Sequence, residues 1–308
     1  MVAGAACGQS LSQAQQHPRG SQISARVAPN EARRIFCWFP RLKTSVVTVF
    51  PGQKIRLSEI DPDDTGSATK PKALERFPKL REEISLLQEK LFAEHERSLL
   101  ILFQAMDTGG KDGALKALCF GLNPAGLEVA RFKAPTQTEL DHDFLWRAHK
   151  VTPNKGMIGI WNRSHYEDVL VVRVHKLVPK KVWKARYGQI NAFEKILSEN
   201  GTTVVKIMLH ISRDEQKKRL EARLENPKKR WKFLPADLKE RGFWDDYQEA
   251  YEDAINCCAT DCAPWHVVPA NHKWARDLAI VEVVSRALKK MNPRYPKVRF
   301  DPATAKID

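Results

Sequence analysis

Long apolar runs are missing from this chain. No segment approaches the roughly 18 consecutive apolar residues that a membrane-spanning helix needs. No apolar h-region follows Met1, which argues against a secretory signal. Cysteine is scarce, with six residues in 308, at Cys7, Cys37, Cys119, Cys257, Cys258 and Cys262. Their spacing does not read as a disulfide framework, so a reducing cytoplasm is the expected compartment. The cluster Cys257, Cys258 and Cys262 has no CxxC or Cys-His partner nearby, and a closed zinc set needs four ligands. It reads as free thiols packed at a helix end. Acidic residues are short as well: 37 against 51 Lys and Arg, a formal charge of +14. An excess of that sign implies a polyanionic partner such as nucleic acid, acidic lipid, nucleotide or polyphosphate. No repeat of 20–50 residues is visible, which excludes a solenoid. The apolar content of 43% is enough to build a core and excludes wholesale disorder.

The first 48 residues differ from the rest. Gln9–Gln22 is rich in Gln, Ser, Ala and His without apolar periodicity. Up to residue 45, Arg19, Arg26, Arg33, Arg34, Arg41 and Lys43 face Glu31 alone. That composition suits a transit peptide, but nothing after residue 50 suggests an organelle. The expected reading is a disordered or mis-started extension over 1–48, a folded domain over 49–300 and a tail over 301–308. Pro51–Pro71, with its Asp-Pro and Asp-Asp-Thr-Gly turns, is expected to drape over the surface.

Regular pattern begins near residue 72. Leu74, Leu80, Ile84, Leu87 and Leu91 recur at helical spacing over 73–95. Ser98–Ala105, SLLILFQA, is the short continuous apolar run of a buried parallel strand. Further strands are expected at 127–133, 156–161, 203–211 and 265–268. Helices are expected at 111–120, 138–150, 179–200, 213–225, 243–257 and 272–291. Alternating strands and helices predict a parallel sheet with helices on both faces, a three-layer α/β/α fold. Ligands of such folds sit at the carboxyl ends of the strands.

The strand SLLILFQA runs into Met106-Asp107-Thr108-Gly109-Gly110-Lys111-Asp112-Gly113 and then a helix. Strand, glycine-rich loop, lysine and helix form the context of a P-loop. Gly109, Gly110 and Gly113 permit backbone N–H groups to face phosphate oxygens, and Lys111 supplies a point charge. The match to G-x-x-x-x-G-K-[ST] is imperfect, because Ala105 replaces the first glycine and Asp112 the Ser or Thr. Two carboxylates, Asp107 and Asp112, would repel phosphate unless a cation lay between them, which predicts Mg²⁺. A second strand ends in Asn162-Arg163-Ser164-His165-Tyr166-Glu167-Asp168. Asn162 hydrogen-bonds, Arg163 can reach phosphate, and Glu167 adds a carboxylate to the expected metal set. The third constellation is basic. From Arg219 to Lys232 six basic residues face two acidic ones, and Arg219 and Arg223 share a helix face. With Lys229 and Arg230 they suit a helical lid over about 212–240 that closes on phosphate.

The segments AMDTGGKDG (105–113), PTQTELDHDFLWR (135–147), NRSHYEDVLVVRV (162–174), HISRDEQKKRLEARLENPKKRWKF (210–233) and DDYQEAYEDA (245–254) resemble the polyphosphate kinase 2 family. The resemblance runs in order over about residues 50 to 300. It implies a P-loop kinase fold and Mg²⁺-dependent, reversible phosphoryl transfer between inorganic polyphosphate and a nucleotide. Asn162 followed by Arg-Ser-x-Tyr-Glu-Asp looks like the subgroup acting on AMP as well as ADP. The resemblance implies that Asp107 and Asp112 hold Mg²⁺, and that Lys111 and Arg163 stabilise the phosphoryl group. Arg173, Arg219, Arg223, Lys229 and Arg230 would grip the polyanion. It also implies a homo-oligomer with no nucleic-acid or membrane partner. An ATP-dependent P-loop kinase and a nucleic-acid-binding protein are the alternatives, although no nucleic-acid-binding motif is present.

Overall fold

The computed structural model describes residues 44–299; the expected tail and most of the expected extension, with Cys7 and Cys37, lie outside them. Six strands form one sheet: β1 Val47–Val49, β2 Ser98–Ala105, β3 Leu127–Arg131, β4 Ile158–Asn162, β5 Thr202–His210 and β6 Trp265–Pro269. Their order is β1-β6-β5-β2-β4-β3. All neighbours run parallel except β1, which is antiparallel to β6. The helices are α1 Lys70–Glu94, α2 Lys111–Cys119, α3 Gln137–Leu140, α4 Trp146–His149, α5 Val171–Val174, α6 Lys180–Glu199, α7 Arg213–Glu225, α8 Pro235–Gly242, α9 Trp244–Cys258 and α10 Lys273–Met291.

The physical logic of β2 explains its central place. All eight of its residues are buried, so it needs cover on both faces and partners on both edges. It takes β5 on one side, from Ser98 opposite Thr202 to Ala105 opposite Leu209, and β4 on the other. Helices α1, α2 and α10 pack together, and α6 packs on α9 and β5. This is the expected three-layer α/β/α arrangement. No helix of the described residues is long and apolar enough to cross a membrane.

The structure departs from the sequence reading in four places. The helix expected over 138–150 is broken into α3 and α4. Thr136 and Glu139 close a capping box on α3. The Asp143 carboxylate then accepts from the Leu145 N–H, and such a local bond competes with helix continuation. Leu74, expected on the apolar face of α1, is exposed, whereas Ile84 and Leu91 are buried. The segment after Pro51 is bound rather than merely draped. Asn256 bonds both the N–H and the carbonyl of Ile55, Glu252 accepts from the Leu57 N–H, and Leu57 is buried.

The fourth departure is the domain boundary. Residues Thr44 to Thr48, assigned above to the extension, join the fold. Thr44 donates from its N–H and hydroxyl to the buried Glu282 carboxylate, and β1 pairs with β6 from Val47 to Val49. A chain starting at Pro51 lacks these bonds, although Glu282 keeps its ion pair to Arg76 at 2.9 Å. Losing donors to a buried carboxylate costs about 1–3 kcal/mol. The Pro51 chain is therefore expected to melt roughly 5 °C below one starting at Thr44. Equal melting temperatures by circular dichroism would show that the strand contributes nothing.

Candidate active site

Five strand ends converge on one cleft of about 710 Å³. After β2 come Asp107 to Gly113, after β3 Arg131 to Ala134, and after β4 Asn162 and Arg163. The helix after β5 brings Arg219 and Arg223, and the helix after β6 brings Lys273 and Arg276. The carboxyl edge of a parallel sheet is where such folds bind ligands.

The loop between β2 and α2 is held in left-handed backbone at Thr108 (φ 61°) and Gly110 (φ 97°). A Cβ on Gly109 would lie 2.6 Å from the Ala105 Cβ and 2.8 Å from the Met106 carbonyl, so only glycine fits. The loop carbonyls are tied back from outside. Gln216 donates to the Asp107 carbonyl at 2.9 Å, and Arg219 to that of Thr108 at 3.2 Å. Arg276 donates to that of Gly110 at 3.3 Å. No side chain caps the N-terminus of α2, whose first N–H groups and positive dipole end face the cleft.

Charge is arranged around this cradle. Lys111 donates to the Ala105 carbonyl at 2.8 Å. Burial pushes its ammonium below the usual lysine range, Arg163 reinforces this, and Asp107 and Glu167 oppose it. Arg163, itself in left-handed backbone (φ 63°), donates to Asp107 at 2.9 Å and lies 3.8 Å from Glu167. Glu167 above all, then Asp107 against the effect of burial, raises the Arg163 pKa. Burial pushes the Glu167 carboxyl up, against the pull of Arg163 and Lys111. Asp112 accepts from Asn162 at 2.9 Å and meets Lys232 at 3.4 Å. Burial opposes its ionisation, but Asn162 and Lys232 prevail and hold its pKa below the ordinary value. In all, ten basic and three acidic side chains line the cleft.

Comparison with known proteins gives this geometry a family. Residues 68–296 match the family described as Polyphosphate kinase 2 (PPK2). The chain belongs to the polyphosphate kinase 2 family. It is 48% identical to an AMP/ADP-polyphosphate phosphotransferase of Meiothermus ruber over 251 residues, covering 81% of this chain and 94% of that one. It is 43% identical to an ADP-polyphosphate phosphotransferase of Rhodopseudomonas palustris over 228 residues, 70% of this chain and 79% of that one. A crystal structure of Polyphosphate Kinase 2 from Arthrobacter aurescens TC1 superposes with a TM-score of 0.80 at 44% identity, covering 83% of this chain and 92% of that one.

Against this family frame, most of the expected residues come together. Asp107, Gly109, Gly110, Lys111, Asp112, Gly113, Asn162, Arg163, Arg219, Arg223 and Lys229 all line the cleft. Arg173 does not. It lies in α5, bonded to Glu249 and Asp253 and stacked over Trp183 at 4.7 Å. Those partners neutralise its charge. Arg230 is exposed outside the lining and donates to the Leu224 carbonyl. The three carboxylates expected to share a metal are not gathered either. Glu167 lies with Asp107 and Arg163 on an adjoining cavity of about 260 Å³, while Asp112 faces Asn162 and Lys232. Among the described residues no three Asp, Glu, His or Cys groups could together hold a metal ion. Among the described residues Cys257, Cys258 and Cys262 form no disulfide.

Sequence reasoning missed Arg131, Lys133, Lys232, Lys273, Arg276 and Gln216. Lys232 sits in the basic run and could have been chosen. Arg276, in HKWARD, carries no local signal; its role arises only because β6 ends beside β5.

Proposed function

We propose that this enzyme transfers the terminal phosphate of inorganic polyphosphate to AMP or ADP, reversibly, with Mg²⁺, in the cytoplasm. One observation carries the reading: ten basic side chains from five strand ends surround a P-loop in a single cleft. That is more positive charge than a lone nucleotide needs, and it suits a long polyanion met by steering. The names of the relatives point the same way.

The chemistry follows from the residues. A nucleotide phosphate oxygen attacks the terminal phosphorus, and the bond to the bridging oxygen breaks. The shortened chain leaves with the electron pair. The attacking oxygen is already anionic, so no general base is required. That agrees with Asp107 being bonded to Arg163 rather than standing free. Lys111 and Arg163 neutralise the charge on the transferring group, and the loop positions it in line.

Asp107 and Asp112 supply hard oxygen donors to the cleft, which fits Mg²⁺ completed by phosphate oxygens and water. Bound there, the ion would neutralise phosphate charge that the two carboxylates otherwise repel. The AMP-competent reading is supported by the family resemblance at Asn162; in this cleft its amide donates to Asp112, where a carboxylate would repel it.

The test is ADP formation from AMP with polyphosphate and no nucleoside triphosphate. Product is expected with Mg²⁺, loss of activity with a chelator, and recovery when Mg²⁺ is returned. Activity with ATP alone as donor would assign an ordinary P-loop kinase instead.

A further inference from the structure

The turn between β6 and α10 holds a side chain that the chemistry above does not use. The Asn271 side-chain oxygen accepts the Ser212 N–H at 3.0 Å. Its amide nitrogen donates to Asp63 at 2.9 Å and to the Ser212 hydroxyl at 3.2 Å. Its own N–H donates to the Pro62 carbonyl at 3.1 Å. Ser212 is the N-cap of the lid helix α7, and its hydroxyl accepts the Glu215 N–H at 3.0 Å. Arg219, one turn beyond Glu215, donates to the Ala270 carbonyl at 2.6 Å and to that of Asn271 at 3.3 Å. The same guanidinium reaches the Thr108 carbonyl of the phosphate loop. One asparagine therefore ties three segments: the Asp-Pro-rich stretch near residue 62, the root of the lid, and the turn that launches Lys273 and Arg276 into the cleft.

Only an amide meets these demands. It must accept from a backbone N–H and donate to a carboxylate at once. Aspartate would keep the first bond and set a like charge against Asp63. Leucine would make neither.

We propose that Asn271 is a positioning residue for phosphoryl transfer, fixing the root of the lid, and with it Arg219, against the phosphate loop. Asp63, in a stretch that otherwise reads as surface loop, is its partner. The proposal rests on the polyphosphate reading only for the choice of substrate. The experiment therefore includes a readout that needs no substrate.

The variants are Asn271→Leu, Asn271→Asp and the double variant Asn271→Asp with Asp63→Asn. The last reverses the direction of the side-chain bond while keeping the acceptor for Ser212. Displacing groups that position reacting atoms by about 1 Å costs on the order of 100-fold, so kcat of both single variants should fall about 10- to 100-fold. The KM values should move less than kcat. Hydrogen exchange at the first turn of α7 should quicken by a similar factor in both single variants. The double variant should restore exchange, and kcat to within about threefold, because complementary exchange recovers a pairwise interaction. A purely structural role predicts lower melting temperatures in the single variants with kcat of the folded enzyme unchanged. The proposal is overturned if α7 exchange in either single variant matches the wild type, or if the double variant stays as defective as Asn271→Asp. If the wild type shows no polyphosphate-dependent turnover, the functional reading fails. The exchange comparison then still decides the positioning role.

Discussion

Replacing Lys111 by alanine is expected to lower turnover about 1,000-fold while leaving the fold and its melting temperature nearly unchanged. Its side chain lines the cleft from the first turn of α2, and its ammonium donates to one protein carbonyl, that of Ala105. That carbonyl also accepts from the Tyr251 hydroxyl at 3.0 Å, so the substitution does not orphan a buried acceptor. Burial pulls the Lys111 pKa down, and the side chain is half-buried beside the loop. In such surroundings it acts strongly on developing charge and contributes little to folding. Steady-state kinetics at saturating substrates, with a circular dichroism melt, checks both halves. Wild-type turnover in a folded variant would reject the phosphate-loop assignment.

Charge reversal of the basic segment in and after α7 is expected to separate the two substrates. The structure decides which positions to use. Arg219 is bonded to Glu215 and to the carbonyls of Thr108, Ala270 and Asn271, so a carboxylate there would face oxygen on every side. Arg219→Glu would distort the loop as well as discharge α7. Arg223 and Lys229 line the cleft with looser ties; Arg223 lies 3.6 Å from Asp237. In the Arg223→Glu, Lys229→Glu variant the KM for polyphosphate should rise about tenfold or more, with a shallower salt dependence, since fewer counterions are released on binding. The KM for AMP should change less than about threefold, because a short ligand meets fewer of these groups. Equal changes for both substrates would mean that the basic segment is a solvated face and the polyphosphate track lies elsewhere.

The fold was legible where physics is local. A short continuous apolar run that ends in a glycine-rich turn suits a buried strand, and β2 begins and ends where SLLILFQA does. Ser212 at one end and Asn226-Pro227 at the other mark α7 over 213–225. The phosphate loop was legible because glycine, lysine and strand context lie within one stretch. What stayed hidden depends on distant partners. β1 is three residues long and exists because β6 offers an open edge. Arg173 lies in a segment that resembles the family, yet Glu249 and Asp253, brought near by α9, claim its charge. Arg276 is the reverse case, with no signal in its own neighbourhood and a bond to the loop carbonyl of Gly110.

The bracing of the phosphate loop by Arg219 and Arg276 has a consequence for synthesis. The loop emerges early, but the guanidinium groups that hold its carbonyls emerge more than one hundred residues later. Such a site closes late, because contacts of long sequence separation cannot form until both ends exist. A nascent chain that has emerged through α7 carries the loop and that helix without Lys273, Arg276 or the turn at Asn271. A chain cut off before α10 would therefore carry the phosphate loop without its Arg276 brace, so closure of this cleft depends on the last helix of the sheet layer.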